Sequence, residues 1–236
     1  MKHSVIVTGY NCEKYAAKCI DSLLNQTVQP HQILIYNDCS IDSTAQVLEK
    51  YKHLPSVTVW NNSKNMGALF GRYTYIQQTV TGDVVSFVGL DDYLAPNALE
   101  VLNRYYTDDI KLTYGNWQRV GTNQVNEAQH YGGDVYRDKS FRRSGWKATA
   151  LNTFRTELIK RVPKELLQHD GKFFDNCTDL AYSFPCLENV EQHEVAVVTE
   201  PIYKYRIHGN TTLSRLGRDH KTNIREQLKR IKICKL

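Results

Sequence analysis

Two adjacent carboxylates, Asp91 and Asp92, follow the apolar run Val84 to Val88 and precede Pro96. Acids at the carboxyl end of a strand suit a hard divalent cation beside a diphosphate, because such ions take oxygen ligands from carboxylates and phosphates together. An Asp-Asp turn ahead of a proline is the other reading, and this segment alone leaves both open. A third acid, Asp38, ends the run Ile33 to Tyr36. It can accept a hydrogen bond from a base edge such as the N3–H of uracil, or cap the following helix together with Ser40 and Asp42. Arg72, on a helix after Gly67, can reach a nucleotide or its diphosphate, or stand in solvent.

The elements that must position these groups alternate along the first hundred residues. The patterns predict strands at Ser4 to Thr8, Gln32 to Tyr36, Val57 to Trp60 and Val84 to Val88. Between them lie a helical pattern from Glu13 to Leu24, a helix capped by Ser40 to Ser43 and running through about Tyr51, and a helical pattern from Gly67 to Thr79. Such βαβ alternation implies a largely parallel sheet with ligand at the carboxyl ends of its strands. The second hundred residues are less regular, with strands near Lys111 to Tyr114 and Val195 to Thr199, an apolar stretch Ala148 to Phe154, and helical patterns at Thr156 to Arg161 and Asp179 to Leu187.

A chain of 236 residues with 41% apolar content can bury one sizeable core. The expected organisation is one catalytic domain over residues 1–214, with a nucleotide half (1–100) and an acceptor half (101–214), followed by a basic helix over 215–236. The net charge of +5 is concentrated there: eight Lys/Arg face Asp219 and Glu226 in 215–236, leaving about −1 for the rest. Ile224, Leu228 and Ile231 recur at helical spacing. The helix either docks on its own core or touches anionic lipid or a neighbouring domain. No basic patch is interleaved with aromatics, so nucleic acid is not an expected partner. The six cysteines contain no C-x-x-C pair, which leaves reduced, ordinary thiols as the expectation. Neither a leader pattern nor an apolar run of roughly 20 residues is present, so a soluble, cytoplasmic protein is expected, peripheral at a membrane only through the last helix.

The run from Val5 to Tyr15, with Cys19 to Thr27 after it, resembles the first strand and helix of family 2 glycosyltransferases. Three further blocks follow in that family's order. Ile33 to Thr44 resembles the strand ending in Asp-Asp-Gly-Ser-x-Asp, Asn65 to Arg72 the Asn-x-Gly segment with its Arg, and Phe87 to Leu99 the Asp-x-Asp strand and helix. The resemblance implies a GT-A fold: α/β, with a Rossmann-like, mostly parallel central sheet flanked by helices and a smaller acceptor-side region. It implies an inverting transfer of a hexose-type sugar from a nucleoside diphosphate, with UDP favoured, to a glycan or glycoprotein-glycan hydroxyl, assisted by Mn²⁺ or Mg²⁺.

By the same resemblance Thr8, Gly9 and Tyr10 line the base pocket, Asp38 holds the base, Arg72 and Arg206 meet the nucleotide, and Asp91 and Asp92 hold the metal with His208. The segment Phe173 to Leu180 is similar to the family's Phe-Asp-Glu followed by Glu-Asp, which makes Asp179 the catalytic base with Asp175 as the alternative. Tyr203 to Ser214 is similar to its late Tyr-Arg-x-His loop, in which Arg206 and Ser214 support phosphate charge. The sequence departs from the pattern at Gly9, Gly89, Leu90 and Thr178. Two of them, Gly89 and Thr178, keep a catalytically silent nucleotide-sugar binding module open as an alternative. A sugar nucleotidyltransferase is the other, although its Gly-rich basic loop is missing near the first strand. Trp146, beside Arg142 and Arg143, offers an aromatic face for an acceptor sugar or a core side chain.

Overall fold

The computed structural model describes residues 1–209 and 212–236, with the side chains of 212–216, Ser214 included, outside that description. The first half runs β1 (His3–Gly9), α1 (Ala16–Leu24), β2 (Gln32–Asn37), α2 (Thr44–Glu49), β3 (Val57–Asn61), α3 (Ala68–Gln78), β4 (Val84–Gly89), β5 (Tyr93–Leu94) and α4 (Ala98–Tyr105). The second runs β6 (Leu112–Arg119), β7 (Val125–Asn126), α5 (Gly133–Arg137), β8 (Thr153–Arg155), α6 (Thr156–Ile159), β9 (Gln168–His169), β10 (Lys172–Phe173), α7 (Thr178–Leu187), β11 (Val195–Tyr205) and α8 (Thr212–Arg230). Within α8 the backbone breaks at Gly217, whose φ of 82° is left-handed.

Among the described residues one sheet has the order β3-β2-β1-β4-β8-β6-β11-β5, with β7 on β6. Strands β3, β2, β1 and β4 are mutually parallel, as is the pair β6 and β11, while short β8 joins the two groups antiparallel to both β4 and β6. Residues alternate across the pleat, which sorts the apolar side chains into two layers. Val5, Val7, Ile33, Ile35, Val84 and Val88 face one core with α1 and α4. Ile6, Leu34, Tyr36, Val85 and Phe87 face the other with α3 and α7. Both faces are covered, which explains why these strands read as continuous apolar runs. Each fully buried Val, Ile or Leu contributes roughly 1.5–3 kcal/mol by leaving water.

Register brings the chemistry to one edge. Thr8 lies beside Gly89, and Gly9 beside Asn37, so β1, β2 and β4 end together. Helix α1 starts three residues later than the pattern suggests, because the Tyr15 and Ala16 N–H groups both donate to the Cys12 carbonyl in a turn. Helix α2 starts directly after the expected cap, with the Asp42 carboxylate holding the Thr44 N–H, and stops about two residues early because the chain turns tightly after Glu49. Strands β6 and β11 are longer than predicted, because they pair with each other along their length and β7 adds to the end of β6.

The basic C-terminal helix docks on the chain's own core. Ile224 and Leu228 are buried with α7, and Ile231 and Leu236 pack against them. Its apolar anchors are therefore spent inside the molecule and not held for a lipid or partner surface. Arg142 pins the helix: its guanidinium forms a two-pronged pair with Glu188 (2.5 and 2.8 Å) and donates to the Leu228 carbonyl (2.7 Å). Both side chains are almost fully buried, so neither charge has water to fall back on. All six cysteines are free, in line with the sequence reading. No described helix is long and apolar enough to cross a membrane.

Arg142→Ala should lower the unfolding free energy by about 3 kcal/mol, because it strands the Glu188 carboxylate. Replacing the pair together, Arg142→Met with Glu188→Leu, should recover most of that loss. Urea denaturation of the two variants checks both statements.

Candidate functional site

A cavity of about 760 Å³ opens at the shared carboxyl edge of β1, β2 and β4. Thr8, Gly9, Tyr10, Asp38, Arg72, Asp91, Asp92, Asp175 and Asp179 all line it, so residues spread over most of the chain meet in one place. Arg206 and His208 do not line it. His208 borders a neighbouring hollow with Asn11, Tyr15 and Asp42.

Asp38 does not cap α2. Its two carboxylate oxygens accept from the Met66 and Gly67 N–H groups at 2.8 Å, and the Tyr36 hydroxyl donates to it at 3.2 Å. The carboxylate fastens the loop before α3 to the end of β2. Gly67 takes φ 86° there, a left-handed conformation in which a side chain would be strained. Asp38 Oδ1 accepts from both Met66 and Tyr36, so Oδ2, which accepts from Gly67 alone, keeps a further lone pair for a donor in the cavity.

The acidic pair divides its work. Asp92 is buried, and its oxygens are taken by the Tyr203 hydroxyl (2.5 Å) and the Arg206 N–H (2.7 Å). Burial, with the neighbouring Asp91 charge adding to it, pushes the Asp92 carboxyl well above the usual carboxylate range. Asp91 is the more open of the two, and His208 Nε2 lies 2.9 Å from its Oδ2. The expected trio of Asp91, Asp92 and His208 therefore does not form a shared ligand cluster among the described residues. The reason is local, because Asp92 faces β11 and the loop after it. Gly89 follows from the same crowding: a Cβ there would lie 2.6 Å from Asp91 Oδ1 and 3.1 Å from Asp92 Oδ2.

Arg206 is also used differently from expectation. Its Nε donates to the Asp91 carbonyl (3.0 Å), and its guanidinium lies 4.7 Å from the centre of the Tyr15 ring. It braces the acidic turn from behind. Arg72 is buried rather than solvated, lying 4.6 Å over the Phe87 ring while Nη1 donates to the Thr178 hydroxyl at 2.8 Å. Burial pushes its guanidinium down from its ordinary value, and the Asp179 charge pulls it back up. Arg72 thus links α3 to the first turn of α7.

Asp179 is the second residue of α7 and half-buried, where the helix dipole favours negative charge. Among the described residues its carboxylate has neither an ion pair nor a hydrogen bond, whereas the more exposed Asp175 is held by His220 at 2.7 Å. Residues that the sequence reading missed include Tyr203, which also accepts the Gly89 N–H at 3.2 Å, and the cavity residues Trp117, Asn126, Lys221 and Arg225. Only Tyr203 sat in a recognised motif. The others arrive from positions with no local signal. The nearby thiols are inert, since burial pushes Cys12 up to about 12 and Cys19 well above its usual value.

A mixed, mainly parallel sheet whose strand ends carry acids around a nucleotide-sized cavity defines a GT-A type nucleotide-sugar transferase scaffold. The model of the family described as "Glycosyl transferase family 2" matches residues 4–163, and the chain belongs to that family. It is 27% identical over 141 residues to "Glycosyltransferase GlyA" of Streptococcus pneumoniae serotype 4, an alignment covering 59% of this chain and 20% of the relative. The chain therefore spans about a fifth of that protein's length. The crystal structure of S. aureus TarS 1-349 in complex with UDP-GlcNAc superposes with a TM-score of 0.67 at 22% identity, covering 91% of this chain and 61% of the other. Glucosyl-3-phosphoglycerate synthase from Mycobacterium tuberculosis, in complex with Mn²⁺, UDP and glucosyl-3-phosphoglycerate, gives a TM-score of 0.59 at 17% identity, covering 99% and 81%.

Tyr203→Phe removes the donor to a buried carboxylate and should cost about 1–3 kcal/mol. Thermal denaturation beside the wild type reads the loss, and an unchanged melting temperature would remove Tyr203 from the account of the site.

Proposed function

We propose that the chain is a metal-assisted, inverting glycosyltransferase domain that takes a UDP-sugar as donor and a glycan hydroxyl as acceptor. One observation carries the reading: Asp38, Asp91 and Asp179, from three separate parts of the chain, line a single cavity of about 760 Å³. The UDP and UDP-GlcNAc bound to TarS support the choice of base, and the Mn²⁺ in the mycobacterial synthase supports a divalent ion.

The base is received at the ends of β1 and β2. Thr8, Gly9 and Tyr10 form the wall, and the free lone pair of Asp38 Oδ2 accepts from the base edge. Asp91, with His208 behind it, fits Mn²⁺ or Mg²⁺, since these ions settle for one carboxylate when diphosphate oxygens supply other ligands. When bound, the ion neutralises charge that develops on the departing nucleoside diphosphate. Asp92 is a brace in this scheme and not a ligand. Asp179 removes the proton of the acceptor hydroxyl as its oxygen attacks the anomeric carbon from the face opposite the diphosphate, which inverts that centre. Arg72 holds the first turn of α7 through Thr178, and so orients Asp179.

The silent-module alternative rested on Gly89 and Thr178. Both have explanations in the geometry, as a position where a Cβ would crowd the Asp91 and Asp92 carboxylates and as the acceptor for Arg72. That favours the enzyme.

Asp179→Asn should leave the UDP dissociation constant within about twofold while lowering kcat at least about 100-fold, the lower range for a lost general base. Calorimetry and a UDP-release assay across UDP-sugars measure the two; retained turnover would move the base elsewhere. Asp91→Asn should abolish the strengthening of UDP binding by Mn²⁺, while Asp92→Asn should chiefly lower the melting temperature. Reversal of those two outcomes would return the ligand role to Asp92.

A further inference from the structure

The C-terminal helix does more than cover the core. Its buried face carries Ile224 and Leu228, and beside that face Lys221 and Arg225 stand one turn apart, so both side chains fall on one stripe. Both line the large cavity. Neither has an acidic partner among the described residues, and Arg225 Nε is buried with no hydrogen-bond partner. A buried donor left in that state is costly, so an Nε–H without a partner at a cavity wall points to a ligand that completes it.

The surrounding acids do not fill the role. Asp175 is taken by His220 on the same helix, Asp38 by the loop before α3, Asp92 by Tyr203 and the Arg206 N–H, and Asp91 is met by His208. Asp179, the remaining acid, has Arg72 as its cationic neighbour. The place of the two cations in the fold is informative. The Lys221 carbonyl lies 3.9 Å from Cys177 Sγ, and His220 meets Asp175, so this stretch of α8 packs against the residues that lead into Asp179. The base end of the cavity is built instead from β1, β2 and the loop before α3.

We infer that Lys221 and Arg225 form an anion subsite beside Asp179, which selects an acceptor carrying a phosphate or carboxylate near the hydroxyl to be glycosylated. The assignment rests on the glycosyl transfer reading for the word acceptor; the anion subsite itself rests only on the cavity and its two uncompensated cations. A guanidinium and an ammonium side by side suit such a group, since Arg binds an oxyanion in a fork and Lys adds a point charge. A donor diphosphate is the other anion within chemical reason, and the test separates the two.

The full chain is titrated calorimetrically, with and without saturating UDP, against ribitol 5-phosphate and ribitol, and against methyl glucuronide and methyl glucoside. At least one anionic compound should bind about tenfold tighter than its neutral match or better, both with and without UDP. Lys221→Gln and Arg225→Gln should each remove that preference while UDP affinity stays within about twofold, and Arg225→Lys should restore part of it. Circular dichroism confirms the fold of each variant, and Lys221→Gln, at a half-exposed position, decides the matter should Arg225→Gln not fold. Equal binding of anionic and neutral compounds overturns the subsite. Weakened UDP binding in the variants, with acceptor preference unchanged, reassigns the cations to the donor and overturns it equally. A wild-type chain that binds no UDP but keeps the anion preference sinks the glycosyl transfer reading alone.

Discussion

The buried carboxylate of Asp92 is the tie on which the site depends. It ends the nucleotide half at the tip of β4, and its two oxygens are filled from β11 and the loop after it by Tyr203 and the Arg206 N–H. These partners lie more than one hundred positions downstream. A carboxylate removed from water is costly unless hydrogen-bonded, so the acidic turn and the late strand are stable only together. Pairing of Tyr203 with Leu94 and Lys204 with Tyr93 holds the same junction through the backbone. Both acids border the cavity, and Asp91 is left as the more open member of the pair. Two adjacent acids therefore do different work because one points into the protein and the other out of it.

A second tie closes the far side. The Arg142 and Glu188 pair, with the Leu228 carbonyl, fixes the last helix against α7. The loop residues Asn176 and Cys177 and the start of α7 thereby gain a rigid backing. A general base needs a fixed distance to its substrate hydroxyl, and loops supply such distances poorly unless they are packed from behind. The C-terminal segment thus belongs to the site, even though its composition reads as a solvated, basic tail.

The nucleotide half was legible because its signals are local. Strands β1, β2 and β4 appear as apolar runs bounded by polar turns, and the acids at their ends fall where a parallel sheet binds ligands. Helix bounds were less legible: α1 begins late because a backbone turn at Cys12 competes with its first turn, and α2 ends early where the chain turns after Glu49. The roles of Asp92, Arg206 and Arg72 could not be read from spacing, since each is decided by a partner from a distant segment. A sequence shows that Arg72 stands near the nucleotide half. It does not show that Phe87 lies under the guanidinium, or that Thr178 accepts from it.

That last contact bears on why the chain has Thr at 178, where the resemblance leads one to expect Glu. Arg72 is buried, and Asp179 is the largest opposite charge acting on it. A Glu at 178 would pair with the guanidinium directly and screen it from Asp179, whereas a hydroxyl accepts one hydrogen bond and adds no charge. The substitution keeps the orienting link between α3 and α7 while leaving the arginine's field directed at a single carboxylate. Among the described residues the cavity then contains one acid with neither ion pair nor hydrogen bond, Asp179, and Arg72, Lys221 and Arg225 line the same cavity. An anionic group on an incoming acceptor would be drawn toward Lys221 and Arg225, which would bring its hydroxyl toward Asp179.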